Sequence, residues 1–256
     1  MAGALKTHAI VLLASDLGES NRLVTFYTLE NGKLRGVAKG AKRSQHRFVN
    51  ALEPFTWVRL SFVPSRAEGL GRIDAAEVED SFPHIRSSTE AFCMASLCAE
   101  MIDRWTKDLD PHRDVFHLLL WSLRVLDEAG SHKKTTLFFK VKLLSLAGYA
   151  PNWTRCSICK GPPTGRRAYV TLKDGGFICE DCGKTGHDTN PVSLGTLKTL
   201  HHIQNRPLET LERLHISDYI LKEAWTLTQE LHSHHLHMVP LAYQVLSGFE
   251  NRQNQT

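Results

Sequence analysis

Cys156-Ser-Ile-Cys159 and Cys179-Glu-Asp-Cys182 are two Cys-x-x-Cys knuckles separated by nineteen residues, a spacing that matches a tetrahedral four-thiolate zinc site. Each knuckle sets two thiolates a short turn apart. Between them, Tyr169-Val-Thr-Leu172 and Gly175-Gly-Phe-Ile178 read as a hairpin that folds one knuckle onto the other, which makes residues 151–189 a zinc ribbon. Four soft thiolates leave no coordination position for water or substrate. Zn2+ held by Cys156, Cys159, Cys179 and Cys182 is therefore expected to be a structural brace and not a Lewis acid. Two disulfides in a secreted protein are a competing reading. Against them, Met1-Ala-Gly-Ala-Leu-Lys-Thr-His8 has no charged-then-apolar secretory pattern, and no apolar run approaches the ~20 residues that span a bilayer. A cytoplasmic, reducing setting without membrane attachment is expected, and it keeps thiols available for metal. An iron–sulfur cluster stays open as a third reading, which the compact, evenly paired spacing disfavours.

Upstream of the ribbon, the pattern from Leu5 to about Phe82 is one of strands. His8-Ala-Ile-Val-Leu-Leu-Ala14 is an apolar run bounded by Asp16 and Gly18, and Arg22-Leu-Val-Thr-Phe-Tyr-Thr28 is rich in β-branched and aromatic residues. Asn31-Gly32 is a strong hairpin signal, with positive φ expected at both positions. Further strands are expected at Lys33–Lys39, Pro54–Val63 and Leu70–Val78. Five short strands with turn residues between them, and no crossover helix, predict a small closed barrel such as an OB-fold over residues 1–82.

Past Pro83 the period becomes helical. Ser87-Ser-Thr-Glu90 reads as a capping box ahead of an apolar face from Phe92 to Trp105, and Asp110-Pro111 as the start of a second helix that stops at Gly130. Thr136 to Ala147 is apolar over most of its circumference, as a buried helix would be. After the ribbon, Asn190-Pro-Val-Ser193 leads into a helix through Ile203. Ser217-Asp218 caps a longer one, and Val239-Pro240 restarts a short one through Tyr243 and Phe249. The fold class is thus α+β: an N-terminal OB-fold barrel, then an α-helical bundle over 83–150 and 190–250 with the four-cysteine ribbon inserted. Cys93 and Cys98 fall in the apolar helical pattern and read as packing residues.

The chain has 256 residues and a formal net charge of +4, a mild bias whose distribution matters more than its size. Lys33, Arg35, Lys39, Lys42, Arg43 and Arg47 place six positive charges between Glu30 and Glu53 with no carboxylate among them. On a small barrel such a track can follow a phosphate backbone. A solvated loop serving solubility is the alternative. Phe26, Tyr27, Phe48, Phe55 and Trp57 lie nearby as stacking candidates, but a small barrel needs most of them for its core. His232, His234, His235 and His237 lack a carboxylate or cysteine partner at helical spacing and read as a polar helix end. The sequence contains no phosphate-loop signature, nucleophile elbow or nuclease-type carboxylate constellation, so no enzymatic activity is expected.

Asp16-Leu-Gly-Glu-Ser-Asn-Arg-Leu23, Gly32-Lys-Leu-Arg-Gly-Val-Ala-Lys-Gly-Ala-Lys-Arg43, Leu52-Glu-Pro-Phe55 and Leu143-Leu-Ser-Leu-Ala-Gly-Tyr-Ala-Pro151, running into the four cysteines, resemble RecO, the family of bacterial DNA repair and recombination mediators. The resemblance covers essentially the whole chain. It implies an OB-fold, a helical domain and a zinc ribbon, and binding of single- and double-stranded DNA with annealing of complementary strands. It also implies work with RecR to load RecA onto DNA coated by single-strand-binding protein, contact with that protein's acidic, apolar C-terminal tail, RecF as a further partner, and a nucleoid-associated place in the cytoplasm. The contrasting reading is a zinc-ribbon protein-interaction scaffold without direct DNA binding.

Overall fold

Alternation of side chains builds the first part of the chain. In the computed structural model, which describes residues 4–44, 46–65, 69–128, 130–172, 176–183, 190–236, 239–243 and 245–246, five strands close into a barrel. They are β1 (Leu5–Leu17), β2 (Asn21–Thr28), β3 (Gly32–Ala38), β4 (Trp57–Val63) and β5 (Gly71–Asp80). Every second residue points inward, as the strand period of two requires. Ala9 and Val11, Val24 and Phe26, Leu34 and Ala38, Val58, Leu60 and Phe62, and Ile73 and Ala76 make one core. The strand order β1-β2-β3-β5-β4, closing back on β1, is that of an OB-type barrel. All neighbours are antiparallel except β3 and β5, which run parallel through Gly36↔Gly71 and Val37↔Arg72. A Cβ at either glycine would overlap the Phe62 ring lying across this seam.

The turn after β2 differs from the expected one. Strand pairing ends at Thr28↔Gly32, so Leu29, Glu30 and Asn31 form a three-residue loop. Only Gly32, with φ of 67°, adopts the left-handed conformation, as in a turn followed by a bulge glycine. Its missing side chain matters twice, because the Asp110 backbone packs directly against it.

The chain divides into two compact units, Met1–Gly130 with Leu241–Thr256, and Ser131–Pro240. The division falls inside the stretch 83–150 that reads as one run of helices in the sequence. The first unit adds to the barrel α1 (Pro83–Ser87), α2 (Thr89–Trp105) and α3 (Arg113–Asp127). The cap of α2 is Ser88 and not Ser87: its hydroxyl accepts from the Ala91 N–H, while Ser87 ends α1. Asp110 and Pro111 likewise precede the helix they were expected to open, since α3 starts at Arg113 with His112 as an N-cap that makes no side-chain hydrogen bond. Glu100 of α2 accepts from the N–H groups of Leu241 and Ala242, fixing the start of the last helical turns. Phe249 lies outside the described residues.

In the second unit α4 (His132–Leu146) is buried on most sides, as expected from its apolar circumference. Also here are α5 (Glu180–Gly183), α6 (Leu194–Asn205), α7 (Leu208–Leu211) and α8 (Asp218–Leu236), with α4 packed against α6 and α8. Lys142 donates to the carbonyls of Gln204 (2.9 Å) and Arg206 (2.5 Å), capping α6 where its carbonyls lack partners. The reading of His232 as part of a polar helix end is corrected. His232 is fully buried, and its Nε2 donates to the Lys140 carbonyl at 2.9 Å. Lys140 is buried beside it, donating to the Trp225 carbonyl at 3.0 Å with its ammonium 4.0 Å from the Trp225 ring centre. Burial, and then the nearby Lys140 charge, hold the His232 pKa well below the usual histidine value. His234 and His235 stay at the helix end, His235 stacked on Tyr149; His237 lies outside the described residues.

Candidate metal centre and nucleic-acid interface

A three-stranded sheet stands beside the cysteines, of which Cys179 ends a strand and Cys182 lies in α5. β6 (Arg167–Val170) pairs with β7 (Phe177–Cys179) through Ala168↔Cys179 and Val170↔Phe177, as the hairpin reading requires. Gly175 and Lys173 lie outside the described residues. The Asn190–Ser193 segment, expected only as a helix lead-in, is a third strand, β8, on the other edge of β6. In the first knuckle the Cys156 carbonyl accepts from the Lys160 N–H, with Lys160 at φ 62°, which turns Cys159 back toward Cys156. The Ser157 N–H donates to the Phe177 carbonyl at 2.8 Å and locks this knuckle to β7.

The result is a cluster of four sulfurs within 4.8 Å of one another, and all six cysteines are free thiols. With metal–sulfur bonds of about 2.3 Å, a tetrahedron has edges of about 3.8 Å, and Cys159 Sγ and Cys179 Sγ sit 3.8 Å apart. The donor set fits a soft, tetrahedral cation. Burial raises the Cys156 pKa, but amide donors from Cys179, Cys159 and Ile158 outweigh it and bring the thiol down to about 6. Cys182 is pushed up to about 12 because it donates to Cys179 and shares space with the other sulfurs. Four thiols so close cannot all ionise alone; a cation removes that conflict. Cys93 and Cys98 are buried in α2, as expected of packing residues.

The basic residues fall into two groups. On β3, Lys33, Arg35 and Val37 alternate with core residues and take the outer side of the strand, and Lys39 follows directly after its last residue, Ala38. Lys33 is nonetheless only 5% exposed. Its Nζ donates to the Asp103 carbonyl (2.6 Å) and pairs with the carboxylates of Asp103 (3.3 Å) and Asp108 (3.4 Å). Arg35 approaches the same carboxylates at 3.8 and 4.0 Å. Lys33 thus fastens the barrel to the end of α2 and does not face solvent as a track residue would.

Beyond β3, the helical turn Ala41–Arg43 and its flanks form an exposed rim. Lys39 and Arg43 are exposed and pair with no carboxylate among the described residues. Lys42 pairs with Asp16 at 2.8 Å. Arg47 donates to the Lys39 carbonyl at 2.9 Å and lies over the Phe48 ring. Phe26, Tyr27, Phe48 and Phe55 are buried, leaving Trp57 partly exposed between His8 and Arg124.

Fold and site together define a class: an OB-barrel protein with a basic rim, extended by helices and a four-thiolate ribbon. Residues 1–82 match the family model for the recombination protein O N terminal region, and residues 86–242 that for its C terminal region. The chain is 35% identical over 227 residues to the DNA repair protein RecO of Syntrophus aciditrophicus, covering 87% of each chain. It is 32% identical to the protein of that name from Caldanaerobacter subterraneus subsp. tengcongensis (91% of this chain, 94% of the other) and 30% identical to that of Desulfosudis oleivorans (93% and 95%). The chain belongs to the RecO family of DNA repair proteins.

Proposed function

We propose that the protein is a DNA-binding recombination mediator that anneals complementary single strands and, with RecR, helps load RecA onto DNA coated by single-strand-binding protein. The observation that carries the reading is the exposed rim of Lys39, Lys42, Arg43 and Arg47 on the barrel of a RecO-family chain. Such cations release counterions from phosphates and lower the repulsion between two strands. Annealing of this kind needs no nucleotide and no catalytic group. RecR, the C-terminal tail of single-strand-binding protein and RecF are the proposed protein partners, in the cytoplasm near the nucleoid. Zn2+ held by Cys156, Cys159, Cys179 and Cys182 braces the ribbon, which the sulfur geometry supports.

The test is binding of a fluorescent single strand across a salt series. Four phosphate contacts at about −0.7 each give a log-affinity slope near −2.8 against log salt. Lys39→Ala with Arg43→Ala should flatten it by about 1.4 and weaken binding to all sequences alike. Annealing should proceed without ATP. An unaltered slope in a folded double variant moves the DNA path elsewhere, first to the ribbon's Arg155, Arg166 and Arg167.

A further inference from the structure

An open slot of about 650 Å³ lies beside the first half of β3, lined also by Ser65 and Gly69 after β4 and by Asp108 and Leu109 after α2. Phe62, Pro64 and Gly71 line one side, Arg35 and Asp108 the other, and two leucines stand at it, Leu70 48% and Leu109 70% exposed. Leu109 is held there against its own preference. Its backbone has φ of 61°, a conformation leucine rarely adopts, and its N–H is tied to the Lys33 carbonyl at 3.0 Å.

The occupant follows from chemistry and position. Among the described residues the charges around the slot cancel, because Lys33 and Arg35 are matched by Asp103 and Asp108. A phosphate gains little there, whereas a neutral ring gains two leucyl walls and a guanidinium. Arg35 lies on the outer side of β3 and Lys39 directly follows its last residue, Ala38, about 13 Å from Arg35 at about 3.3 Å per residue, a span of a few nucleotides. A strand whose phosphates lie on the rim therefore passes the slot. We propose that the slot takes one unstacked nucleobase of single-stranded DNA, packed against Leu109, Leu70 and Arg35, and so sets a preference for single over double strands. This rests on the DNA-binding reading above and adds a base contact to its phosphate contacts.

The test uses an oligo-dT strand, an abasic strand of the same length and a duplex, each titrated over a salt series. Leu109→Gly removes the side chain while suiting the positive φ, so the backbone is not strained by the change; Leu70→Ala is the second variant. Wild type should bind dT more tightly than the abasic strand. Each variant should lose roughly tenfold on dT, the scale of one base contact, with no loss on the abasic strand or the duplex and no change of salt slope. Equal wild-type affinity for dT and abasic strands, undiminished dT binding by both variants, or an equal loss on all three probes overturns the slot. Failure of wild type to bind any probe overturns the DNA-binding reading itself, and the slot with it.

Discussion

Lys33→Met separates the two kinds of basic residue on one strand. Methionine keeps the length of the stem and removes the ammonium, so Asp103 and Asp108 lose their shared cation and the Asp103 carbonyl loses its donor at 2.6 Å. Breaking a fully buried ion pair costs about 3–5 kcal/mol. Here the Asp103 and Asp108 side chains are 29% and 56% exposed, so water replaces part of the loss and about 2 kcal/mol is expected. That corresponds to a fall of roughly 4–8 °C in the melting temperature of the first unit. The assay is urea and thermal unfolding alongside single-strand binding over a salt series. The slope against log salt should stay at its wild-type value, because a cation already neutralised inside the protein releases no counterion. A variant as stable as wild type to within about 0.5 kcal/mol, with its slope flattened by about 0.7, would show that Lys33 touches phosphate and does not fasten the barrel to α2.

Cys159→Ser should remove the one metal ion per chain and disorder β6–β8, since a structural zinc contributes on the order of 10 kcal/mol to such a site. Elemental analysis of protein purified without chelator, before and after the substitution, checks both the ion's presence and its identity. His232 makes stability depend on pH in the acid range. The unfolded histidine takes up a proton near pH 6.5 while the buried one, with its depressed pKa, does not, so the native state loses ground as pH falls. Below about pH 6.5 the loss should approach 1.4 kcal/mol per pH unit, and His232→Leu should abolish that part of the slope in urea unfolding at pH 5, 6 and 7.

Most of the barrel is legible in the sequence because a strand advertises itself locally: Val24 and Phe26, or Val58, Leu60 and Phe62, alternate with polar residues over a few positions. The knuckles are legible for the same reason, all four cysteines lying within one short segment. What stays hidden depends on partners far along the chain. Nothing near Lys33 announces that Asp103 and Asp108 will meet it, and nothing near His232 points to the Lys140 carbonyl. β8 is hidden by its shortness and by Pro191, which weakens a strand reading until β6 supplies an edge for it. The Asn31-Gly32 pair announces a turn but not its length, because one positive φ at Gly32 serves a three-residue loop as well as a two-residue one. The slot beside Leu109 is legible nowhere, since a leucine in the left-handed region looks like any other leucine.

The seam between β3 and β5 gives the barrel a direction in which to breathe. Among the described residues only Gly36↔Gly71 and Val37↔Arg72 join these strands, whereas β2 and β3 are paired from Arg22↔Ala38 to Thr28↔Gly32. Parting β3 from β5 sacrifices the fewest paired residues of any neighbouring pair in the barrel, so local opening costs least there. Phe62 acts as the latch. Its ring lies against both glycines, so a smaller side chain at position 62 would leave this least-bonded joint of the barrel uncovered.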